Sequence, residues 1–224
     1  MKKLLLLISL FISSLYSFAQ EEYEEFSFKK GIYHVTESID GESFFVGTEK
    51  GESIEVNKKS SEVINTFGDE KNLILTQAIS PNLHFLVTGD QKGIVNIWNR
   101  TTKEKKTITL HKKAITSLLF NYNGKILVIA SADGTISIWD TYKTSKIITL
   151  QGHKEAVTSL SLNPAENRLL SGSYDGSVII WDLRSFKKIH QLPMEGQKVR
   201  SVAYSHNGKY FAVGLENKIV RIFN

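Results

Sequence analysis

The stretch SYDGSVIIWD, residues 173–182, decides the fold, because the chain contains nearly the same ten residues a second time. The second copy, SADGTISIWD, occupies residues 131–140 and so begins 42 positions earlier. Each copy opens with a polar turn, in which Asp-Gly favours a hairpin because glycine reaches positive φ at low cost. Each then continues through β-branched residues to a tryptophan, a composition typical of a β-strand. A hairpin strand that recurs at a period of this length indicates a repeat protein.

The same period extends along most of the chain. Trp98, Trp139 and Trp181 are separated by 41 and 42 residues, while Val56 and Phe223 lie 42 residues beyond the first and the last of them. Each of these five positions closes a run of three short predicted strands separated by turns, and a fourth strand follows four of the five positions. A small antiparallel sheet cannot bury both of its faces alone, whereas sheets packed radially, face against face, can do so. The sequence therefore predicts an all-β fold, a β-propeller of four-stranded antiparallel blades.

Two repeats carry a more specific pattern, LHKKAITSLLF followed by ASADGTISIWD, and GHKEAVTSLSL followed by GSYDGSVIIWD. In both, a histidine precedes the turn aspartate by 22 residues and the tryptophan by 28. This pattern resembles the WD-repeat (WD40) family, and the resemblance covers residues 26–224. It is good in these two repeats, partial in the repeat that ends at Trp98, and weak in the first and last. The resemblance implies a propeller that acts as a scaffold for other proteins.

The resemblance also implies that a histidine, an aspartate, a strand hydroxyl and a tryptophan form a hydrogen-bonded network inside each blade. The candidate members are His111, Ser131, Asp133 and Trp139 in one blade, and His153, Ser171 or Ser173, Asp175 and Trp181 in the next. A buried imidazole and a buried carboxylate need such partners. Because the set recurs in two blades, a structural role is favoured over a hydrolytic triad. Blades 1, 2 and 5 lack the pattern, and we expect apolar packing alone to hold them.

The chain supplies five repeats, and the fifth stops at Asn224, directly after its third strand. Residues 25–29 precede the first repeat and have a strand pattern. In the family that the chain resembles, an N-terminal strand often completes the last blade. We therefore expect residues 25–224 to form a closed five-bladed propeller whose last blade is completed by the N-terminal strand. A truncated reading frame and an open arc completed by another copy are the alternatives.

The N-terminus has the pattern of a secretory signal peptide. Two lysines are followed by the apolar run Leu4–Phe18, and Ser17 and Ala19 provide small residues for cleavage after position 19. The alternative is an uncleaved anchor helix, but the run is shorter than the ~20 residues that a span requires. An acidic leader, residues 20–24, follows. Because the chain has no cysteine for a lipid anchor or a disulfide, we expect a periplasmic or secreted protein.

Composition argues against several classes of function. Loss of residues 1–19 lowers the formal net charge from +5 to +3, which is too weak to predict nucleic-acid binding. No later apolar run is long enough to span a membrane. The six histidines show no metal-ligand spacing, and no cofactor motif is present. The five innermost strands carry one carboxylate, Glu37, although a glycosidase needs two that converge. We therefore expect a non-catalytic protein without cofactors, and a monomer.

One face of the propeller is expected to bind another protein. The loops before the first strands carry one lysine or more in each blade, and Tyr174 lies in a turn on the same face. The candidate binding residues are Lys71, Lys113, Lys154, Tyr174 and Lys198. A basic rim would suit an acidic protein, whereas nearby carboxylates also fit a solvated face of mixed charge. A carbohydrate- or anion-binding propeller, or a glycosidase-like one, is the alternative function.

Overall fold

Nineteen short β-strands make up the regular structure of the described part of the chain, residues 27–68, 72–164 and 167–224 of a computed structural model. Blade 1 contains β1 (Ile32–Glu37), β2 (Ser43–Thr48), β3 (Glu52–Asn57) and β4 (Val63–Gly68), and blade 2 contains β5 (Ile74–Ile79), β6 (Phe85–Asp90), β7 (Ile94–Asn99) and β8 (Lys105–Thr109). Blade 3 contains β9 (Ile115–Phe120), β10 (Ile126–Ser131), β11 (Thr135–Asp140) and β12 (Ser145–Gln151). Blade 4 contains β13 (Val157–Leu162), β14 (Arg168–Ser173), β15 (Ser177–Asp182) and β16 (Lys187–Pro193), and blade 5 contains β17 (Val199–Tyr204), β18 (Phe211–Leu215) and β19 (Val220–Phe223).

Every blade is an antiparallel meander in which each strand pairs with the next one along the chain. The quoted stretch forms the turn and third strand of blade 4, where Gly172 in β14 pairs with Val178 in β15. Gly134 and Gly176 have φ of 88° and 75°, the left-handed region that a side chain disfavours. The Asp-Gly hairpin signals are thus confirmed, as are four-stranded sheets in blades 1 to 4, while the sheet of blade 5 has three strands among the described residues. None of the described segments is a helix long and apolar enough to cross a membrane.

The core lies between the blades rather than within them. The innermost strands β1, β5, β9, β13 and β17 pack against one another in this order. Between blades 3 and 4, for example, Ile138 and Leu150 pack with Val157 and Leu169 in one buried cluster. The other boundaries between consecutive blades have apolar clusters of their own. Consecutive sheets therefore bury the faces that they turn toward each other, as radial packing requires.

The two ends of this series have uncovered faces. On the first innermost strand, Ile32 and Val35 are 45% and 55% exposed. On the last strand, Val220 and Ile222 are 65% and 73% exposed, although Val178, the counterpart of Val220 in blade 4, is fully buried. These residues occupy the positions that face a neighbouring blade elsewhere in the series. The described residues therefore form an open series of five sheets.

The closed ring that the sequence favours is not formed by the described residues. Strand β19 pairs with β18, and no described strand covers its other edge. Of the predicted closing strand, Ser27–Lys29 has no strand structure, while Glu25 and Phe26 lie outside the described residues. The predicted signal peptide, residues 1–19, and the acidic leader, residues 20–24, also lie outside them. Closure by the N-terminal strand stays a prediction.

Candidate partner-binding face

One end of the blades carries most of the candidate residues. Because antiparallel strands alternate in direction, the loop before each first strand and the hairpin between the second and third strands meet at the same end of a sheet. We call this end the loop face. In blades 3 to 5 it contains residues 111–114, 153–156 and 195–198 and the hairpin turns 132–134, 174–176 and 216–218.

Blade 4 contains a complete hydrogen-bonded network beneath the loop face. His153 Nδ1 lies 3.0 Å from Asp175 Oδ2, and His153 Nε2 lies 2.8 Å from Ser171 Oγ. Trp181 Nε1 donates to the same Ser171 oxygen over 2.9 Å. Since the carboxylate can only accept, His153 Nδ1 carries the proton that it shares with Asp175. The structure thus brings together His153, Ser171, Asp175 and Trp181.

Ser173, the other serine that the sequence offered for blade 4, has a different role. Its hydroxyl donates to the Glu155 carbonyl oxygen over 3.1 Å and accepts from the Asp175 N–H over 3.1 Å. Ser171 itself is fully buried, so no substrate can reach its oxygen. The set of a serine, a histidine and an aspartate therefore has no accessible nucleophile, and its geometry is that of a structural network.

Blade 3 contains an incomplete version of this network. His111 Nδ1 lies 3.0 Å from Asp133 Oδ2, but Ser131 bonds to the Lys113 carbonyl oxygen and to the Asp133 N–H instead. Ile129 stands 42 residues before Ser171, where the network hydroxyl belongs. In this blade His111 Nε2 and Trp139 Nε1 consequently have no hydrogen-bond partner among the described residues. The assignment of Ser131 as the network hydroxyl is therefore corrected: it is the counterpart of Ser173.

Blades 1 and 2 are also held by more than the apolar packing expected from the sequence. In blade 2, Trp98 Nε1 donates to Thr88 Oγ1 over 3.4 Å, and Asp90 accepts hydrogen bonds from two amides of its own turn. Between blades 1 and 2, the buried carboxylate of Glu55 pairs with the guanidinium of Arg100. The sequence could not reveal this ion pair because its members are 45 residues apart and do not repeat.

Hydrogen bonds from the hairpins of blades 3 and 4 hold the loops that carry two of the predicted lysines. Asp175 Oδ2 accepts from the Lys154 N–H over 2.9 Å, and Ser131 Oγ donates to the Lys113 carbonyl oxygen over 3.1 Å. The side chains of Lys113, Lys154 and Lys198 are exposed on the loop face. Lys71 lies outside the described residues. These hydrogen bonds thus couple the blade interior to the position of the loops at the loop face.

Tyr174 lies at the centre of a charged cluster at the boundary between blades 4 and 5. Lys198 Nζ lies 5.5 Å and Arg200 Cζ 4.9 Å from the centroid of the Tyr174 ring. The Arg200 guanidinium also donates to the Tyr174 hydroxyl and pairs with Glu216. We call Tyr174, Lys198, Arg200 and Glu216 the tyrosine cluster. The ring of Tyr174 is half-buried, with both cations close to it.

The tyrosine cluster is only partly visible in the sequence. Arg200 is 26 residues from Tyr174 and lies on an innermost strand, where the sequence shows no partner for it. The repeat register places the start of each innermost strand beside the hairpin turn of the preceding blade, and this is the signal that could have found the contact. Within the described ranges, no group of three or more histidines and carboxylates is arranged to hold a metal ion.

A comparison with protein families decides the relationship. The model described as WD domain, G-beta repeat (WD40) matches residues 61–99, 102–140, 144–182 and 186–224, which is more than half of the chain. The chain belongs to the WD40 family. Each matched segment begins near the last strand of one blade and ends with the third strand of the next.

Individual relatives match smaller parts of this chain. Cilia- and flagella-associated protein 337 B of Tetrahymena thermophila is 26% identical over 59% of this chain, which corresponds to 11% of that protein. The protein LST8 homolog of Drosophila melanogaster is 34% identical over 31% of the chain and 25% of its own length. Nuclear distribution protein PAC1 of Candida albicans is 34% identical over 37% of the chain and 18% of its own length. The WD40 chain thus covers at most a quarter of each.

The network of blade 4 keeps a carboxylate ionised in a buried place. Burial raises the pKa of Asp175, but hydrogen bonds from His153, from the Ser177 hydroxyl and from the Lys154 N–H outweigh it and hold the pKa well below its ordinary value. Burial also raises the pKa of Asp133, but hydrogen bonds from Thr135 and His111 outweigh burial. The pKa of Asp133 therefore also lies below its ordinary value. Both carboxylates therefore act as hydrogen-bond acceptors at neutral pH.

This arrangement predicts an acid-dependent stability of the WD40 chain. Because the pKa of Asp175 is lower in the folded state than the ordinary value of 3.8, its contribution is complete above that value and is lost as the pH falls below it. We expect the urea midpoint of the wild-type chain to fall more steeply below about pH 4 than that of Asp175→Asn. Equal slopes for the two proteins would contradict the assignment.

Proposed function

We propose that the protein is a non-catalytic interaction scaffold that binds an acidic partner protein through the loop face, with the tyrosine cluster at the centre of contact. The observation that carries this proposal is the contact of both Lys198 and Arg200 with the Tyr174 ring. Aromatic and arginine side chains supply much of the binding energy at protein interfaces. WD40 membership supports a scaffold role in general terms, because such propellers act in protein complexes.

The geometry of the tyrosine cluster favours this surface over the separate lysines. The side chains of Arg200 and Glu216 are about half exposed, and Arg200 remains fixed by contacts to both Tyr174 and Glu216. A side chain that is already ordered loses little conformational entropy on binding. Two cations with one carboxylate leave an excess of positive charge, which would attract an acidic surface. The isolated lysines at the rim would contribute more to the association rate than to the affinity.

We also propose that the chain works outside the cytoplasm. The basic, apolar and small-residue pattern of residues 1–19 supports export, as does the absence of cysteine from the sequence. The partner would then be an acidic protein of the periplasm or of the extracellular space.

The proposal predicts that Tyr174→Ala abolishes capture of the partner. The tagged chain from Gln20 onward, as wild type and as variants, would be incubated with an envelope extract, and retained proteins would be compared by quantitative mass spectrometry at low and high salt. Once a specific protein is retained, its affinity would be measured by calorimetry. We expect Tyr174→Ala to weaken it at least about thirtyfold, since it removes the central aromatic contact.

Tyr142→Ala is the matched control. Tyr142 is 67% exposed, lies at the opposite end of the blades and makes no side-chain contact with the tyrosine cluster. This variant should retain the partner with wild-type affinity. A partner that binds Tyr174→Ala as tightly as the wild type would show that the tyrosine cluster is not the binding site. Retention of an acidic glycan instead of a protein would favour the anion-binding alternative.

A further inference from the structure

A cavity of about 530 Å³ opens between blades 2 and 3, at the end of the sheets opposite the loop face. Its wall is apolar and comes from both blades. The wall residues are Phe85, Val87, Ile97, Phe120 and Leu127. Val87 and Leu127 are fully buried, so the cavity extends to the cluster of apolar side chains between these blades. Its volume lies within the range of small-molecule sites, roughly 300 to 1,000 Å³.

The cavity exists because two residues at the boundary of blades 2 and 3 are small, whereas the equivalent residues at the boundary of blades 3 and 4 are large. Thr141 and Thr144 line it, and their counterparts 42 residues later are Leu183 and Phe186. Leu183 is buried between blades 3 and 4, and Phe186 packs against the same cluster. At the boundary of blades 1 and 2, the counterpart of Thr141 is Arg100, which extends to Glu55. The same place is thus filled at two boundaries and open at this one.

The mouth of the cavity is polar and carries an excess of positive charge. Glu104, Lys105 and Lys106 line it. Lys105 Nζ lies 5.2 Å from the centroid of the Trp98 ring, and Lys106 Nζ lies 5.6 Å from that of Trp139. Lys106 Nζ also donates to the Thr144 carbonyl oxygen over 3.3 Å, so this side chain bridges blades 2 and 3 across the mouth.

We propose that this cavity binds a small amphipathic organic anion. An apolar body would contact the wall formed by residues such as Phe85 and Phe120, and a carboxylate or sulfonate would pair with Lys105 and Lys106. An extended peptide would have to displace the bridge between Lys106 and Thr144, whereas a ligand no larger than the cavity would leave it in place. This inference goes beyond the proposed function, because it uses neither the loop face nor the partner protein.

The probe for this site is anilinonaphthalene sulfonate, whose fluorescence rises when its rings leave water. We expect saturable binding to the wild-type chain. The double variant Thr141→Leu/Thr144→Phe copies the boundary of blades 3 and 4 and should bind at least about tenfold more weakly, because the new side chains occupy the cavity. Thr101→Leu, at an exposed threonine of the corresponding turn in blade 2, should bind like the wild type.

The filled variants are expected to fold. Thr144 has φ of 51° and Phe186, its counterpart, has φ of 56°, so the chain already accommodates phenylalanine in this backbone conformation. Thr144→Phe alone leaves the hydrogen bond from the Thr141 hydroxyl to the Gly124 carbonyl oxygen in place and serves as a second filled variant. Circular dichroism and the thermal transition would verify the fold. Unchanged probe affinity in a folded filled variant, or no saturable binding to the wild type, would overturn the site.

The charge of the ligand is tested separately. Lys105→Gln/Lys106→Gln should weaken binding of anilinonaphthalene sulfonate several-fold but leave binding of phenylnaphthylamine, its neutral counterpart, unchanged. An equal effect on the two probes would overturn the preference for an anion. Partner capture through the tyrosine cluster should be the same in the filled variants, so failure of this site and failure of the proposed function can be distinguished.

Discussion

Replacement of Arg100 by leucine is expected to lower the free energy of unfolding by about 3–5 kcal/mol, because it leaves the buried Glu55 carboxylate without its cation. The Glu55 side chain is 2% exposed, and Asn65 is the other described side chain that donates to it. Arg100 also donates to the Leu83 carbonyl oxygen and lies over the Phe45 ring. Urea denaturation monitored by circular dichroism would measure the loss.

The other blades suggest the control for this substitution. The position of Glu55 is occupied by isoleucine in the remaining blades, at Ile97, Ile138, Ile180 and Ile222, and Arg100 corresponds to Leu183 in blade 4. The double variant Glu55→Ile/Arg100→Leu therefore copies the pairing of Ile138 with Leu183 and should recover most of the lost stability. If Arg100→Leu were as stable as Glu55→Ile/Arg100→Leu, the unpaired Glu55 carboxylate would carry no cost, and Arg100 would not be needed to compensate it.

Replacement of Asp175 by alanine is expected to cost about 1–3 kcal/mol, because His153 and the Lys154 N–H then lose a buried acceptor. The Asp175 side chain is 5% exposed, so water cannot readily replace it. The loop that carries Lys154 loses one of its attachments at the same time. We therefore also expect faster amide exchange in residues 153–156, which would distinguish loss of the network from a general destabilisation.

Asp133→Ala in blade 3 is the matched comparison. Asp133 makes the same contact to its histidine, but its side chain is 19% exposed, and Ile129 stands where Ser171 supplies a hydroxyl to the histidine Nε2 in blade 4. This variant should lose less stability than Asp175→Ala. An equal loss in the two blades would show that Ser171 does not strengthen the contact between His153 and Asp175.

The blade pattern could be predicted in detail from the sequence. Trp98, Trp139 and Trp181 lie at equivalent positions of β7, β11 and β15, and the Asp-Gly pairs lie in the hairpins before the last two of these strands. Such features depend on residues close together in the chain, because turn chemistry and strand period are local properties. The histidine and aspartate contacts followed from the resemblance for the same reason, since each pair recurs at a spacing of 22 residues.

The features that the sequence did not predict depend on where one blade meets the next. Alignment of the repeats places Ile129 at the position of Ser171. That His111 Nε2 and Trp139 Nε1 consequently lack hydrogen-bond partners in the described part of the chain is seen only in the tertiary structure. The tyrosine cluster joins residues of blades 4 and 5, and the cavity depends on what Thr141 and Thr144 leave unfilled.

The period of about 42 residues in the sequence was sufficient to determine the all-β class, the sheets and their strands, and WD40 membership. Only the tertiary structure decided the open series of sheets, the ion pair of Glu55 with Arg100, and the arrangement of Lys198 and Arg200 around Tyr174. The physical reason is that strand formation follows from a local pattern that each repeat carries. Contacts between blades depend on volume and charge at single positions that the repeat leaves free to vary.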